Sequence, residues 1–286
     1  MRRIDHPGPV HPERRQALPV TLHAVVDTLR GGETLLNGLS RLVAEQGGDS
    51  AVGTLHGGAF APFAYVMPAL SRTPEHAVYF SDRHAASGPV HLEVATVTCG
   101  RRDGAPWLHC HAIWTDAQGL HHAGHVLPQE VVVAEPVHAT LWRMDGAGFD
   151  VLPDDETRFR LFEPRSCTVP PPAGAGAFVL RLRPNEDVCG AIAAACIERG
   201  VTRARIRGGV GSLVGACFAD GRTVEPFVTE VLVRNGEVQP AADGTLAVTL
   251  DVAVVDYLGG LAEGRLAPGA NAVLVTFEMA VEPIAA

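Results

Sequence analysis

His109, His111 and His125 are the residues whose type and spacing best suit chemistry. They lie in Trp107–Pro128, WLHCHAIWTDAQGLHHAGHVLP, a stretch that holds five of the chain's thirteen histidines. The stretch reads as a strand, a tight turn over TDAQG and a second strand. On a strand, residues i and i+2 share a face, so His109 and His111 project side by side with Cα atoms roughly 6.5–7 Å apart. Cys110 points to the opposite face, and His125 returns on the neighbouring strand. Two imidazoles on one face and a third across a hairpin can offer three nitrogens to one metal ion. Zinc held by three protein nitrogens keeps a fourth position open, lowers the pKa of a bound water and polarises a carbonyl.

The other candidates are single residues. His56 precedes Gly57-Gly58, where backbone can approach a ligand, and is a candidate catalytic group. Glu93, on a strand leading to the hairpin, is a candidate general base or a partner that orients a histidine. The polar loop Ser81–Gly88 offers Arg83 and His84 for substrate binding, with Arg83 as a clamp for a carboxylate. His121 and His122 lie near enough in the turn for one to swing in. A surface or core role is the bland alternative for each of these. No nucleophile elbow, P-loop, HExxH or complete dinucleotide fingerprint occurs.

The elements that must position these residues follow from the pattern. Residues 1–20 read as an arm in which Pro7, Pro9, Pro12 and Pro19 exclude a regular element, with His6 and His11 in solvent. Thr21–Leu29 reads as a strand. Leu35, Leu39, Leu42 and Val43 fall at helical spacing, and Gly47-Gly48 stops the helix. Short apolar strands follow at Ala51–Leu55, Ala64–Met67, Ala77–Phe80 and His91–Thr98, and then come the hairpin, Val131–Ala134 and Ala139–Met144. Residues 164–177, PRSCTVPPPAGAGA, read as a semi-rigid linker. The expected division is an arm at 1–20, a first domain at 21–163, the linker at 164–177 and a second domain at 178–286.

After the linker the pattern restarts. Leu29-Arg30, Glu33, Glu45 and Gly47 correspond without a gap to Leu182-Arg183, Glu186, Glu198 and Gly200. Gly57-Gly58 corresponds to Gly208-Gly209. Asp116, Gly119, Gly124 and Pro128 correspond to Asp256, Gly259, Gly264 and Pro268. Three anchored segments in one order point to an internal duplication. The expected fold class is α+β: a tandem duplicated domain, each copy an antiparallel sheet with packed helices. Thr249, Asp251 and Arg265 stand where the three histidines stand, and Asp251 and Arg265 are expected to pair. The second copy then has a structural or interface role, with one metal site per chain.

Composition narrows the function classes. The chain has 286 residues, is 47% hydrophobic and 19% charged, and carries a net charge of −9. Every basic residue is arginine, so no strong electrostatic footprint for nucleic acid is expected. No apolar run is long enough to span a membrane and no apolar signal region opens the chain, so the expected location is the cytoplasm. The six cysteines form no CxxC pair and read as buried free thiols.

The GGET-type turn and helix, the Gly-Gly segment, His109-Cys110-His111, the Asp116–Gly119 turn and Gly124-His125-Val126-Leu127 together resemble the plants-and-prokaryotes conserved (PPC) domain. The likeness covers roughly 21–145 well and 178–283 more weakly. It implies a compact α+β domain, assembly into trimers and, as in some prokaryotic members, a metal held by His109, His111 and His125. Plant members carry AT-hooks; this chain has no R-G-R-P core, so their DNA role does not carry over. The function expected is a metal-dependent hydrolase, with lactone opening as its best guess, acting on a small carboxylate-bearing compound with a divalent metal, best zinc. The alternatives are a non-catalytic regulatory or DNA-associated protein, or a small-molecule-binding structural oligomer.

Overall fold

The computed structural model describes residues 1–167 and 176–284. The alternating apolar pattern of the strands fills two large sheets, which share buried side chains. Strands dominate: among the described residues there are only two helices, Leu35–Glu45 and Val188–Glu198. The fold is thus mainly antiparallel β with two helices, more strand-rich than the expected α+β.

The first sheet runs Thr21–Leu29, Val137–Asp145, Ala51–His56, Val90–Arg102, Ala105–Thr115 and His121–Val126, then adds two short strands. The second, beyond an extra edge strand, runs Phe178–Leu182, Val273–Pro283, Ala204–Cys217, Thr223–Pro240, Leu246–Asp256 and Leu261–Arg265. The two orders match strand for strand, and each helix follows the first strand of its set. Thr34 and Asp187 cap those helices, accepting from the backbone of Asn37 and Gly190 through their side chains. The hairpin turns also match. Asp116 N–H donates to the Leu120 carbonyl and Asp256 N–H to the Gly260 carbonyl, both at 3.0 Å. In each turn the Asp Oδ1 accepts from the backbone two and four residues on.

Two expectations change. Arg15–Pro19 is a strand, antiparallel to Phe178–Leu182, so the arm is not free of regular structure. Pro19 ends this edge strand, a position where its missing N–H is tolerated. The residues before it lie on the second half: Ile4 exchanges hydrogen bonds with the Asn185 side chain, and half-buried His6 reaches the Leu274 carbonyl at 2.7 Å. The expected linker begins too early, because Pro164–Ser166 belong to the strand Arg160–Ser166; residues 168–175 of it lie outside the described residues. The hairpin of Ala147–Pro153 and Arg160–Ser166 had no counterpart in the sequence reading.

The sheets meet closely. A Cβ on Gly208 would lie 2.7 Å from Val52 Cβ, and Gly208 has φ +67, so glycine is required on both counts. Val94, Ile113 and Ala123 of the first half pack with Leu232, Ala253 and Val255 of the second. A buried charge cluster ties the halves further. Arg181 and Arg183 both reach Asp154 and Glu163, with Asp154 and Arg181 fully enclosed. Burial pushes the Asp154 carboxyl up, but the Thr157 backbone and the two guanidiniums overcome it and hold it well below the usual carboxylate range.

Candidate metal centre

Alternation along Ala105–Thr115 places Trp107, His109 and His111 on one face, and pairing of His111 with His125 brings the third ring across. Cys110, on the other face, is buried in the first half's core. His109 Nε2 lies 3.2 Å from His111 Nε2, which lies 3.2 Å from His125 Nδ1. One ligand atom from each ring falls within 4.8 Å of the others. Nitrogens bound tetrahedrally at about 2.0–2.1 Å from zinc stand about 3.3 Å apart. The three histidines named from the sequence do come together, and two of their three nitrogen pairs lie near that spacing.

The neighbours of the trio come from the second half. His111 Nδ1 donates to the Val231 carbonyl at 2.9 Å, and His109 Nδ1 to Glu278 Oε2 at 2.8 Å. A carbonyl only accepts, so neutral His111 carries its lone pair on Nε2. Where His109 Nδ1 likewise donates to Glu278 Oε2, a neutral His109 also carries its lone pair on Nε2. Two lone pairs then face each other at 3.2 Å, an arrangement that a cation between them relieves. Both partners are also the kind that orient metal-binding histidines. Burial, followed by the neighbouring imidazoles, lowers the His111 pKa well below its usual value, and the same causes bring His125 to about 3. These two rings are therefore neutral at pH 7, which is the ligating form.

Glu230 is the residue the sequence reading missed. It is 5% exposed, its Oε1 lies 3.6 Å from His111 Nε2 and 3.7 Å from His125 Nδ1, and its Oε2 has no hydrogen-bond partner among the described residues. With both rings neutral these contacts are not ion pairs, and burial pushes the carboxyl well above its usual range. A buried carboxylate without a counter-charge is costly. A divalent cation among the three nitrogens and Glu230 Oε1 would supply that charge, so the residues fit a metal ion. The missed signal was an acidic residue inside the apolar run FVTEVLV; Glu278 interrupts VTFEMAV in the same way.

The trio opens on a cavity of about 210 Å³ between the halves. Phe80, Trp107 and Phe159 line it from one side, and Ser212, Glu230 and Glu278 from the other. The remaining sequence candidates lie elsewhere. Glu93 pairs with Arg234 and, at 3.6 Å, with His121. His56 is exposed at the end of its strand. Arg83 is held by Glu130 at 2.6 Å, and His84 stacks on Tyr65. None of the four lines the cavity; Glu93 does reach the second half, but at Arg234 rather than at the histidines. His122 is fixed by Asp116 at 2.7 Å, so neither turn histidine joins the trio. In the second half Asp251 and Arg265 pair as expected, at 2.9 and 3.1 Å.

Neither a protein-family model nor a curated protein matches the chain. Solved structures match about half of it. A plant- and prokaryote-conserved (PPC) protein from Pyrococcus horikoshii is 15% identical, covering 52% of this chain and 96% of its own, with TM-score 0.41. A protein from Archaeoglobus fulgidus described as metal-containing is 15% identical over 49% of this chain and 93% of its own, with TM-score 0.40. A Ralstonia eutropha protein provisionally assigned to DNA binding is 19% identical over 48% of this chain and 89% of its own, with TM-score 0.36.

Proposed function

We propose that the chain is a duplicated pair of PPC-like units that holds one divalent metal ion, best zinc, and uses it to hydrolyse a small ester-like compound such as a lactone. The observation that carries the reading is Glu230: a buried carboxylate with an unpartnered oxygen, beside imidazoles whose lone pairs converge. Matching strand orders, helix caps and hairpin turns support the duplication. On this reading the halves have specialised. The first supplies His109, His111 and His125; the second supplies Glu230, and holds His109 and His111 through Glu278 and Val231. All four donors come from one chain, so the centre needs no second copy.

A divalent cation at this point supplies a Lewis acid that polarises a carbonyl. The protein's own groups do the rest. Glu278 and the Val231 carbonyl fix the tautomers of two rings, which keeps their lone pairs aimed inward. Glu230 Oε2, without a hydrogen-bond partner among the described residues, is placed to take the proton released when water adds to the ester carbon and to return it to the ring oxygen as the C–O bond breaks. Hydrolysis then gives the carboxylate and hydroxyl of the opened ring. The test is elemental analysis of the purified protein with a turnover screen over lactones and simple esters. One zinc per chain and turnover that vanishes in His111→Ala are expected; protein made in metal-replete cells yet free of stoichiometric metal ends the reading.

A second reading is a regulatory, DNA-associated protein, favoured by the provisional DNA-binding assignments of the Ralstonia eutropha and Bacteroides thetaiotaomicron neighbours. The net charge of −9 weighs against it.

A further inference from the structure

At the outer end of the cavity, Arg102 and a set of exposed aromatic rings have no part in the metal centre. Arg102 lines the cavity with Trp107, and its guanidinium carbon sits 4.8 Å from the Trp107 ring centroid. Stacking of this kind fixes the plane of the guanidinium and leaves its N–H fork free. Among the described residues the Arg102 guanidinium makes no hydrogen bond; its nearest carboxylate is Asp103, with Nε 3.9 Å from Oδ2. Asp103 is instead engaged by Arg160, at 2.6 Å. Two guanidiniums share one carboxylate, so this end of the cavity keeps an uncompensated positive charge.

The wall between Arg102 and the histidines is aromatic. Tyr79 stacks on Phe159 with ring centroids 5.6 Å apart, and Phe80 meets Phe159 edge-on at 6.0 Å. Phe80 also touches the His125 ring, at 5.0 Å, so the wall reaches the trio. Tyr79 and Phe80 remain 48% and 36% exposed, apolar surface that a bound guest would cover. The cavity of about 210 Å³ equals roughly seven water volumes of ~30 Å³. That has room for one ring with one or two substituents.

We propose that the cavity selects a planar, monocyclic carboxylate: its carboxylate meets Arg102, its ring lies against Tyr79, Phe80 and Phe159, and its opposite edge faces the histidine trio. This deepens the hydrolase reading and rests on it only for the chemistry at that opposite edge. Arg102 is a specificity residue, since its fork matches a carboxylate in bidentate geometry.

The experiment is calorimetric titration of the full chain with benzoate, benzyl alcohol and cyclohexanecarboxylate, with zinc content measured on the same preparations. Benzoate should bind at least tenfold more tightly than benzyl alcohol and more tightly than cyclohexanecarboxylate. Arg102→Gln should erase the preference over benzyl alcohol at unchanged zinc content, and Arg102→Lys should restore part of it. Equal binding of benzoate and benzyl alcohol, or benzoate affinity within twofold of wild type in Arg102→Gln, overturns the assignment, because a carboxylate held by the metal alone would survive that change. Equal binding of benzoate and cyclohexanecarboxylate overturns the planar preference. The two readings fail separately. Stoichiometric zinc without carboxylate preference sinks only this one, and carboxylate preference in a chain that holds no zinc sinks only the metal centre.

Discussion

Replacing Glu230 by glutamine separates a ligand from a buried bystander, because the two roles predict opposite responses to zinc. Without metal, burial pushes the Glu230 carboxyl well above its usual range and so favours its uncharged form. Glutamine has the same volume and no charge, and metal-free Glu230→Gln should melt at or slightly above the wild type. With metal the carboxylate is charged and opposes the cation. Zinc at a thousand times its Kd adds about 4.1 kcal/mol to stability. Unfolding entropy of about 2.1 cal/mol/K per residue, over 286 residues, is roughly 0.6 kcal/mol/K, so wild type should gain about 7 °C. Loss of a partner of a metal-bound histidine weakens binding about 10–100-fold, and loss of a ligand should cost at least as much. That is about 1.4–2.7 kcal/mol, or roughly 2–5 °C of the zinc-induced gain. The assay is scanning calorimetry of chelator-treated protein with and without zinc, with His111→Ala as the variant that should show no shift. An equal zinc gain in Glu230→Gln and wild type refutes Glu230 as a ligand. No gain in wild type refutes the metal centre.

Glu278→Gln should weaken zinc binding about 10–100-fold by loosening the His109 ring, measured by competition with a chelating dye. Asp154→Asn leaves buried Arg181 and Arg183 with Glu163 as their remaining carboxylate; it should cost about 3–5 kcal/mol in urea unfolding at pH 7. Because the folded Asp154 pKa is depressed, its contribution is present in full above the unfolded value near 3.9 and lost as pH falls towards the folded one. The gap between wild type and Asp154→Asn should therefore narrow below about pH 4, and a constant gap down to pH 2 would contradict the pairing. Gly208→Ala should destabilise by about 1–3 kcal/mol through backbone strain alone, with more from the contact with Val52; an unchanged unfolding midpoint would mean that the sheets do not meet there. Gel shifts at physiological salt should show no duplex binding below micromolar concentration, and sequence-specific retardation would restore the DNA-associated reading.

The three histidines were legible because their spacing encodes geometry: the i, i+2 pair fixes a face, and the Asp116–Gly119 turn fixes the register that sets His125 opposite His111. The comparison within the chain was legible for the same reason, since Asp256 and Gly259 repeat that turn where the histidines are gone. Glu230, Glu278 and Arg102 were not read as site residues. The first two lie more than a hundred residues from the trio and reach it only when the sheets stack face to face, an arrangement that no local period encodes. Glu93 and Arg83 are charged residues near the hairpin in sequence, yet each is taken by a surface partner, Arg234 or Glu130. The strand at Arg15–Pro19 was hidden by its prolines, which forbid a central strand but permit an edge.

On the duplicated reading, the loss of histidines from the second half is coupled to the placement of its acids. The first half turns His109 and His111 towards the second sheet, and the groups they meet there are Glu278, Val231 and Glu230. A second trio in place of Thr249, Asp251 and Arg265 would add imidazoles to a surface now closed by the exposed Asp251–Arg265 pair. Such a surface ion pair is worth little in stability, about 0–1 kcal/mol, so thermodynamics did not demand it. On the proposed metal reading the asymmetry matters at the interface: three imidazoles from one half and one carboxylate from the other would leave a divalent cation with a net single positive charge. A fully symmetric chain would have to supply both kinds of ligand from each copy. Dividing them makes the centre depend on docking of the halves, so variants that loosen the Val52–Gly208 contact should lose zinc affinity before they lose either sheet.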